Sequence, residues 1–433
     1  MKDASSLRTA SLVTFAGLLT MTAVTAAVLA ACADTADTND TPIEPSPDGG
    51  ESTTITPPLD ASETDDGEVD AGGDAAVDGS DDVDAGLRIC SDDDFCHSDV
   101  PAGTNLVGVW GDGQGIVWTV SNKGDVLRWD GSAWNVHAHL TDTTGTKFSI
   151  WGTGPTDVWA VTPAGLFHGT GPTSAALVFT LVDLPGDTTI PILSVGGTGP
   201  NDVWAVGGVT NSSKVPWDWR ARILHYDGDT SNGGSGWTVD TTLSSKPVAV
   251  SAVLGSPGTG MWLVGQEYRQ GKSPSLYGAL FRRAPGTDTW TAIDLPPDPK
   301  GTTYGPQARD LLTIGLSSDS SLWIRGQTSD TVPGFWRGTS TDGGGTFVWS
   351  FTRSNTWDRP IVGLWGTGLD DTWGVGGSGL VTHWNGTKWQ QAAIRLTDLP
   401  VNQSFTAIWG KSKDDFWVVG SEIALHRTLA GKP

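Results

Sequence analysis

The stretch "IWGTGPTDVWAV", Ile150 to Val161, places two tryptophans eight residues apart around a Gly-Pro-Thr-Asp turn. The same frame returns as "VWGDGQGIVWTV" (Trp110, Trp118), "VGGTGPNDVWAV" (Gly196, Trp204) and "VLGSPGTGMWLV" (Leu254, Trp262). It returns again as "IGLSSDSSLWIR" (Gly315, Trp323), "LWGTGLDDTWGV" (Trp365, Trp373) and "IWGKSKDDFWVV" (Trp409, Trp417). The second position is always tryptophan, while the first drifts among Trp, Gly and Leu. Seven copies of a fixed spacing are the mark of a repeat architecture, and that reading precedes any search for single sites.

Each copy continues as an apolar run, a turn, a second run and a Gly-containing turn before an aromatic residue. In copy one, "LVGVWG", "IVWTV" and "DVLRWDGSAWNV" supply four short β-rich runs, the last two joined at Asp130-Gly131, a dipeptide suited to hairpin turns. Copies three and six repeat this as "ILHYDG" leading to Trp237 and "VTHWNGTKW" ending at Trp389. Four antiparallel strands per unit, seven times over, predict an all-β chain: a seven-bladed β-propeller spanning 89–433. The last copy stops at Pro433 without a fourth strand, and an open ring would expose unpaired ladder groups. "CSDDDFCHSDVP" carries Phe95 where other copies carry their fourth-strand Trp, so residues near Phe95 to Val100 are expected to close the ring. Cys90 and Cys96 are then expected to staple that strand as a local disulfide. Two thiols without a companion His and Cys set are too few for a structural zinc.

The 433 residues are uneven in charge. Of the net −23, −16 falls in residues 33–88, which hold 17 acids and only Arg88. The propeller region is mildly acidic, which argues against nucleic acid as a partner. Residues 1–31 read as an export signal: Lys2 and Arg8, then an apolar run from Leu12 to Ala31. Its end, "LAAC" at Leu29 to Cys32, resembles the lipobox of bacterial lipoproteins, which implies lipidation of Cys32 and a membrane anchor; cleavage after Ala33 and an uncleaved anchor are the rival readings. Residues 32–88 lack aromatics and are expected to be a disordered, extended acidic linker. "DGSDDVDAG" lacks the ligand spacing and closing Glu of a calcium loop.

The repeat "W-G-x(4)-D-x-W-x-V-G" followed by "H-W-D/N-G-x-x-W" resembles repeats of secreted bacterial lipoproteins of predatory soil groups such as myxobacteria. The resemblance spans 105–433 and implies an extracytoplasmic, envelope-anchored propeller at the outer membrane or cell surface. It does not specify an activity, since propellers host enzymes, lectins and docking platforms alike.

Residues recurring at one register in every copy are expected to pack between blades, so Trp118, Trp159, Trp204, Trp262, Trp323, Trp373 and Trp417 are read as scaffold. Asp157, Asp202, Asp371 and Asp415, two residues earlier, are expected to bond amides of their own turns. Copies one, four and five have Ile116, Gly260 and Ser321 there. His168, His225, His383 and His426 fall in different copies at one depth, so no metal or cofactor site is expected. The departures from the repeat are concentrated elsewhere. Copies three and four insert "VTNSSKVPWDWRAR" and "QEYRQGKSPSLYGA" between second and third strands, and "PPDPKGTTYGPQAR" links copies four and five on the same face. Trp217, Trp219, Arg220, Tyr268, Arg269, Tyr277 and Tyr304 in these segments are the candidate binding residues, of types favoured at recognition surfaces. With the smaller insertion "QTSDTVPG" of copy five, they point to a monomeric module that binds a protein or polysaccharide partner through the long loops of blades three to five. A glycan-active enzyme (sialidase-like or lyase-like) on the same face and a structural envelope protein are the alternatives.

Overall fold

The computed structural model describes residues 89–143, 147–211, 218–231, 234–269, 275–301, 308–354, 360–396 and 399–429. The expected signal, Cys32 and the expected acidic linker therefore lie outside the described residues. The chain forms seven four-stranded antiparallel sheets. Blade one comprises Leu106–Gly111, Val117–Ser121, Asp125–Trp129 and Trp134–His139, paired in sequence order. Blades two to six follow the same order. First strands of successive blades lie against one another, that of blade seven returning to that of blade one, so they line the central channel. Among the described residues the one helical segment is a 3₁₀ turn, Ser174–Ala176.

Blade seven is composite. Phe405–Ser412, Asp415–Gly420 and Ile423–Thr428 come from the C-terminal end, and Phe95–Ser98 supplies the outer strand, pairing from Phe95 with Arg427 to Ser98 with Ala424. Phe95 is fully buried, edge-on to Phe416 at 5.6 Å and to Trp373 of blade six at 6.0 Å. The Cys90–Cys96 disulfide ties the incoming chain to this strand.

The eight-residue spacing has a simple origin. In every blade the two frame positions are directly opposite across the first hairpin, as in Trp151 with Trp159 and Gly196 with Trp204. The seven second-strand tryptophans are only 0–6% exposed. Each belongs to one of seven apolar clusters, and each cluster bridges two blades: Trp204 with Met261, Leu263 and Phe281 of blade four, Trp417 with Val117 and Trp129 of blade one. The Trp-Gly pair is an inter-blade device as well. A Cβ on Gly152 would stand 2.8 Å from the ring of Trp110 in the preceding blade, and Gly197 is covered in the same way by Trp151. The first tryptophan of one blade thus needs the glycine of the next.

Candidate functional site

The conserved-register polar residues are scaffold, by a route different from the expected one. Asp157, Asp202, Asp371 and Asp415 accept no amide of their own turn; each holds the ring of a third-strand histidine, with His168 at 2.6 Å and His225, His383 and His426 at 2.8 Å. The register explains why, because each histidine is directly opposite its blade's tryptophan and stacks on it at 3.6–4.2 Å. Thr153, Thr198 and Thr367 donate their hydroxyls to three of these carboxylates. The hydrogen bond from His225 holds Asp202 down at about 2, against burial, with Thr198 and Trp204 adding to it. Burial acts to raise Asp371, yet His383, Thr367 and Trp373 keep it below the ordinary carboxylate value.

Blades one, four and five lack the acid, and there the position opposite the tryptophan is Arg128, Arg282 or Arg337. Arg282 and Arg337 lie over Trp262 and Trp323 at 5.1 Å. All three reach into the next blade: Arg128 to Ser174, Arg282 to the carbonyls of Gly344 and Gly345, Arg337 to the carbonyl of Leu369. The "GTSTDGGGTF" turn of copy five is therefore the acceptor for a buried guanidinium. Among the described residues no group of three His, Cys, Asp or Glu side chains could hold a metal.

The departures from this frame are two long arms. Second and third strands are six residues each in blades two and seven. In blade three they are Asp202–Asn211 and Asp218–Tyr226, and in blade four Gly260–Arg269 and Ser275–Arg283, ten and nine residues each. At ~3.3 Å per residue the extra length lifts both hairpins roughly 13 Å above the ring. Antiparallel meander topology puts these hairpins and the inter-blade links on one face.

Trp217 and Tyr304 lie outside the described residues. Trp219, opposite Thr210, shares a strand face with Ala221 and Ile223, which pack into the core between blades three and four. It is 5% exposed, so it roots the arm and does not face a partner in this conformation. Arg220 is on the exposed side, bonded to Asp218 at 2.8 Å and to Asp187. Arg222, on that same strand face, is buried and donates to the carbonyls of Leu184, Pro185 and Ile190, fixing the link from blade two. On the blade-four arm, Arg269 is exposed, pairs with Glu267 at 2.9 Å and lies 5.3 Å over the Tyr277 ring. Tyr277 and Tyr268 are half-buried. Gln266 donates to Asp310 at 3.0 Å, tying this arm to blade five. The link between blades four and five is anchored by the buried Asp298, which Arg353 meets at 2.6 Å, and by Trp336, whose indole donates to the Pro296 carbonyl. Burial works to raise Asp298, but Arg353 keeps it below the usual carboxylate range.

Two cavities lie beside these blades, one at the foot of the arms and one on the opposite face. One of about 320 Å³ lies between blades two and three, lined by Thr189, Pro191 and Arg222. Another of about 420 Å³ lies between blades three and four, beside Asp202, Arg283 and Asp288. In both, the central polar groups, Arg222 and Asp202, are already committed to structural bonds.

No protein-family model matches the chain, and no curated protein matches it by sequence. Solved structures do. YCF48 from Cyanidioschyzon merolae aligns over 77% of this chain and 98% of its own, at 16% identity and TM-score 0.51. YCF48 bound to a D1 peptide aligns over 78% and 99%, at 16% identity and TM-score 0.50. A catalytically inactive virginiamycin B lyase from Staphylococcus aureus, solved with quinupristin, aligns over 77% and 99%, at 13% identity and TM-score 0.51. The likeness is one of fold alone.

Proposed function

We propose that this protein is an exported, lipid-anchored propeller that binds a protein or polysaccharide partner through the arms of blades three and four. The observation that carries the reading is the pair of neighbouring hairpins raised on one face, with Arg269 exposed over Tyr277 at the top of the second. Arginine and tyrosine supply large contact area and several donors, the combination enriched where binding energy concentrates. Among structural neighbours the same architecture holds a peptide in one protein and is a lyase in another, so the ring itself does not choose the activity. The repeat aspartates Asp157, Asp202, Asp371 and Asp415 are bound within their own blades, which supports binding over glycan hydrolysis. The lipobox-like "LAAC" and the acidic tract support an anchor at Cys32 and a tether that holds the ring off the membrane.

The test is a screen of the full chain against glycan arrays and envelope proteins, comparing wild type with an Arg269→Ala, Tyr277→Ala double variant. A loss of affinity of about tenfold or more, with the melting temperature unchanged, is expected. Full retention of binding by the double variant would remove the arms from the site.

A further inference from the structure

Arg325 stands apart from every other inward arginine. It is two residues beyond Trp323 on the second strand of blade five, Ser321–Thr328. The same position in the other six blades is valine: Val120, Val161, Val206, Val264, Val375 and Val419, each 0–2% exposed. Arg325 is itself only 6% exposed. Its strand-face neighbour Trp323 and its cross-strand partner Phe335 pack against Ile361, Leu364 and Leu380, so the side chain lies at the seam between blades five and six.

Buried arginines elsewhere are satisfied, Arg222 and Arg282 by three carbonyls each. No described residue accepts a hydrogen bond from Arg325, none pairs with it as a carboxylate, and its Nε is buried without a partner. Burial alone pulls its pKa down from the ordinary arginine value, with nothing opposing. A nearly buried guanidinium with an unpartnered Nε is costly. Six valines show that the fold does not need a charge there. A cost retained against the pattern of the repeat marks a functional position.

The surroundings define what would pair with it. Across the first hairpin of blade five, Arg325 is opposite Thr313, whose hydroxyl lies 3.4 Å from the carbonyls of Ile361 and Val362. The inner strands of both blades are bulged at this level, and the extra residues are Leu312 and Val362. They are 53% and 44% exposed although they lie on the channel-lining strands, near the end that faces the arms. The corresponding bulge residues of blades four and seven are Ser251 and Thr406, and that of blade one, Val107, is partly buried against the core between blades one and two. At this seam an unpartnered cation is thus opposite Thr313, which follows Leu312 in the chain and bonds the Val362 carbonyl.

We propose that the seam between blades five and six binds an apolar carboxylate, its oxygens held by Arg325 and its hydrocarbon resting on Leu312 and Val362 at the mouth of the central channel. A single guanidinium matches a monoanion in a planar two-bond geometry. A dianionic phosphate would leave one charge uncompensated in an apolar setting. The site rests on the reading of this face as the binding face, but it uses residues separate from the arms, so loss of one does not entail loss of the other.

The test compares melting temperatures of the full chain with octanoate, N-acetyl-leucine and octanamide at millimolar concentration, for wild type, Arg325→Val, Arg325→Met and Leu312→Ser. Stabilisation of wild type by about 2 °C or more with a carboxylate, and none with octanamide, is expected. A response to octanoate alone identifies a fatty-acid-like source, and a response to N-acetyl-leucine a peptide-terminal one. Arg325→Val and Arg325→Met should melt at or above the wild-type temperature and lose the response, while Leu312→Ser keeps its fold and weakens it. The proposal is overturned by equal responses to octanoate and octanamide, by no response in wild type, or by a carboxylate response that survives in either Arg325 variant. A melting temperature lowered in both Arg325 variants makes Arg325 a structural residue and overturns it as well.

Discussion

At the residue scale, the chain uses two solutions to one problem, which is how to cover the outer edge of a buried tryptophan next to solvent. Four blades stack a histidine held by an aspartate, and three use an arginine that needs no acid of its own blade and reaches the next one. Trp159 and Trp204 are 1% exposed, and truncating either to alanine should cost about 3–5 kcal/mol, read from denaturant midpoints. Asp202 gives a pH-dependent prediction. Its carboxyl is held at about 2 in the folded state, below the ordinary 3.8, so its contribution is complete above that ordinary value and is lost as pH falls through 2. With its side chain 38% exposed, solvent screening limits the effect to roughly 1 kcal/mol. Asp202→Asn should therefore flatten the fall in melting temperature between pH 4 and pH 2; an unchanged slope would assign the acid sensitivity elsewhere.

At the scale of the element, the closing strand and the arms are the segments whose role depends on what they pair with. Phe95–Ser98 is four residues, yet it covers the edge of Ile423–Thr428 and places Phe95 between two blades. Phe95→Ala should lower stability by about 3 kcal/mol or more through the cavity it leaves. Reducing the Cys90–Cys96 bridge should cost less, about 2 kcal/mol, because the loop it closes is short. Thermal melts with and without reductant separate the two effects, and a reductant shift larger than that of Phe95→Ala would reverse this ranking. The closing strand was legible in sequence because a missing fourth strand at one end and a stray aromatic at the other are both local observations. The burial of Trp219 was not, since alternation along an arm says which residues share a face but not that the face turns toward blade four.

For the molecule as a whole, every apolar cluster is shared by two blades, so no blade holds a core of its own. Unfolding should then be a single transition in which tryptophan fluorescence and far-UV circular dichroism coincide. Separate transitions for the two probes would show that some blades melt independently.

The sequence by itself determined the number of blades, the strand order and the scaffold role of the repeated tryptophans, because a repeat that buries nothing alone carries its neighbours' requirements in its own spacing. Only the tertiary structure decided which residues meet across seams. It paired Asp with His rather than with turn amides, gave the third-strand arginines their acceptors one blade away, and left Arg325 buried without one. Those outcomes depend on contacts between chain segments far apart in sequence, where the register of one sheet against the next, rather than local pattern, sets the partner.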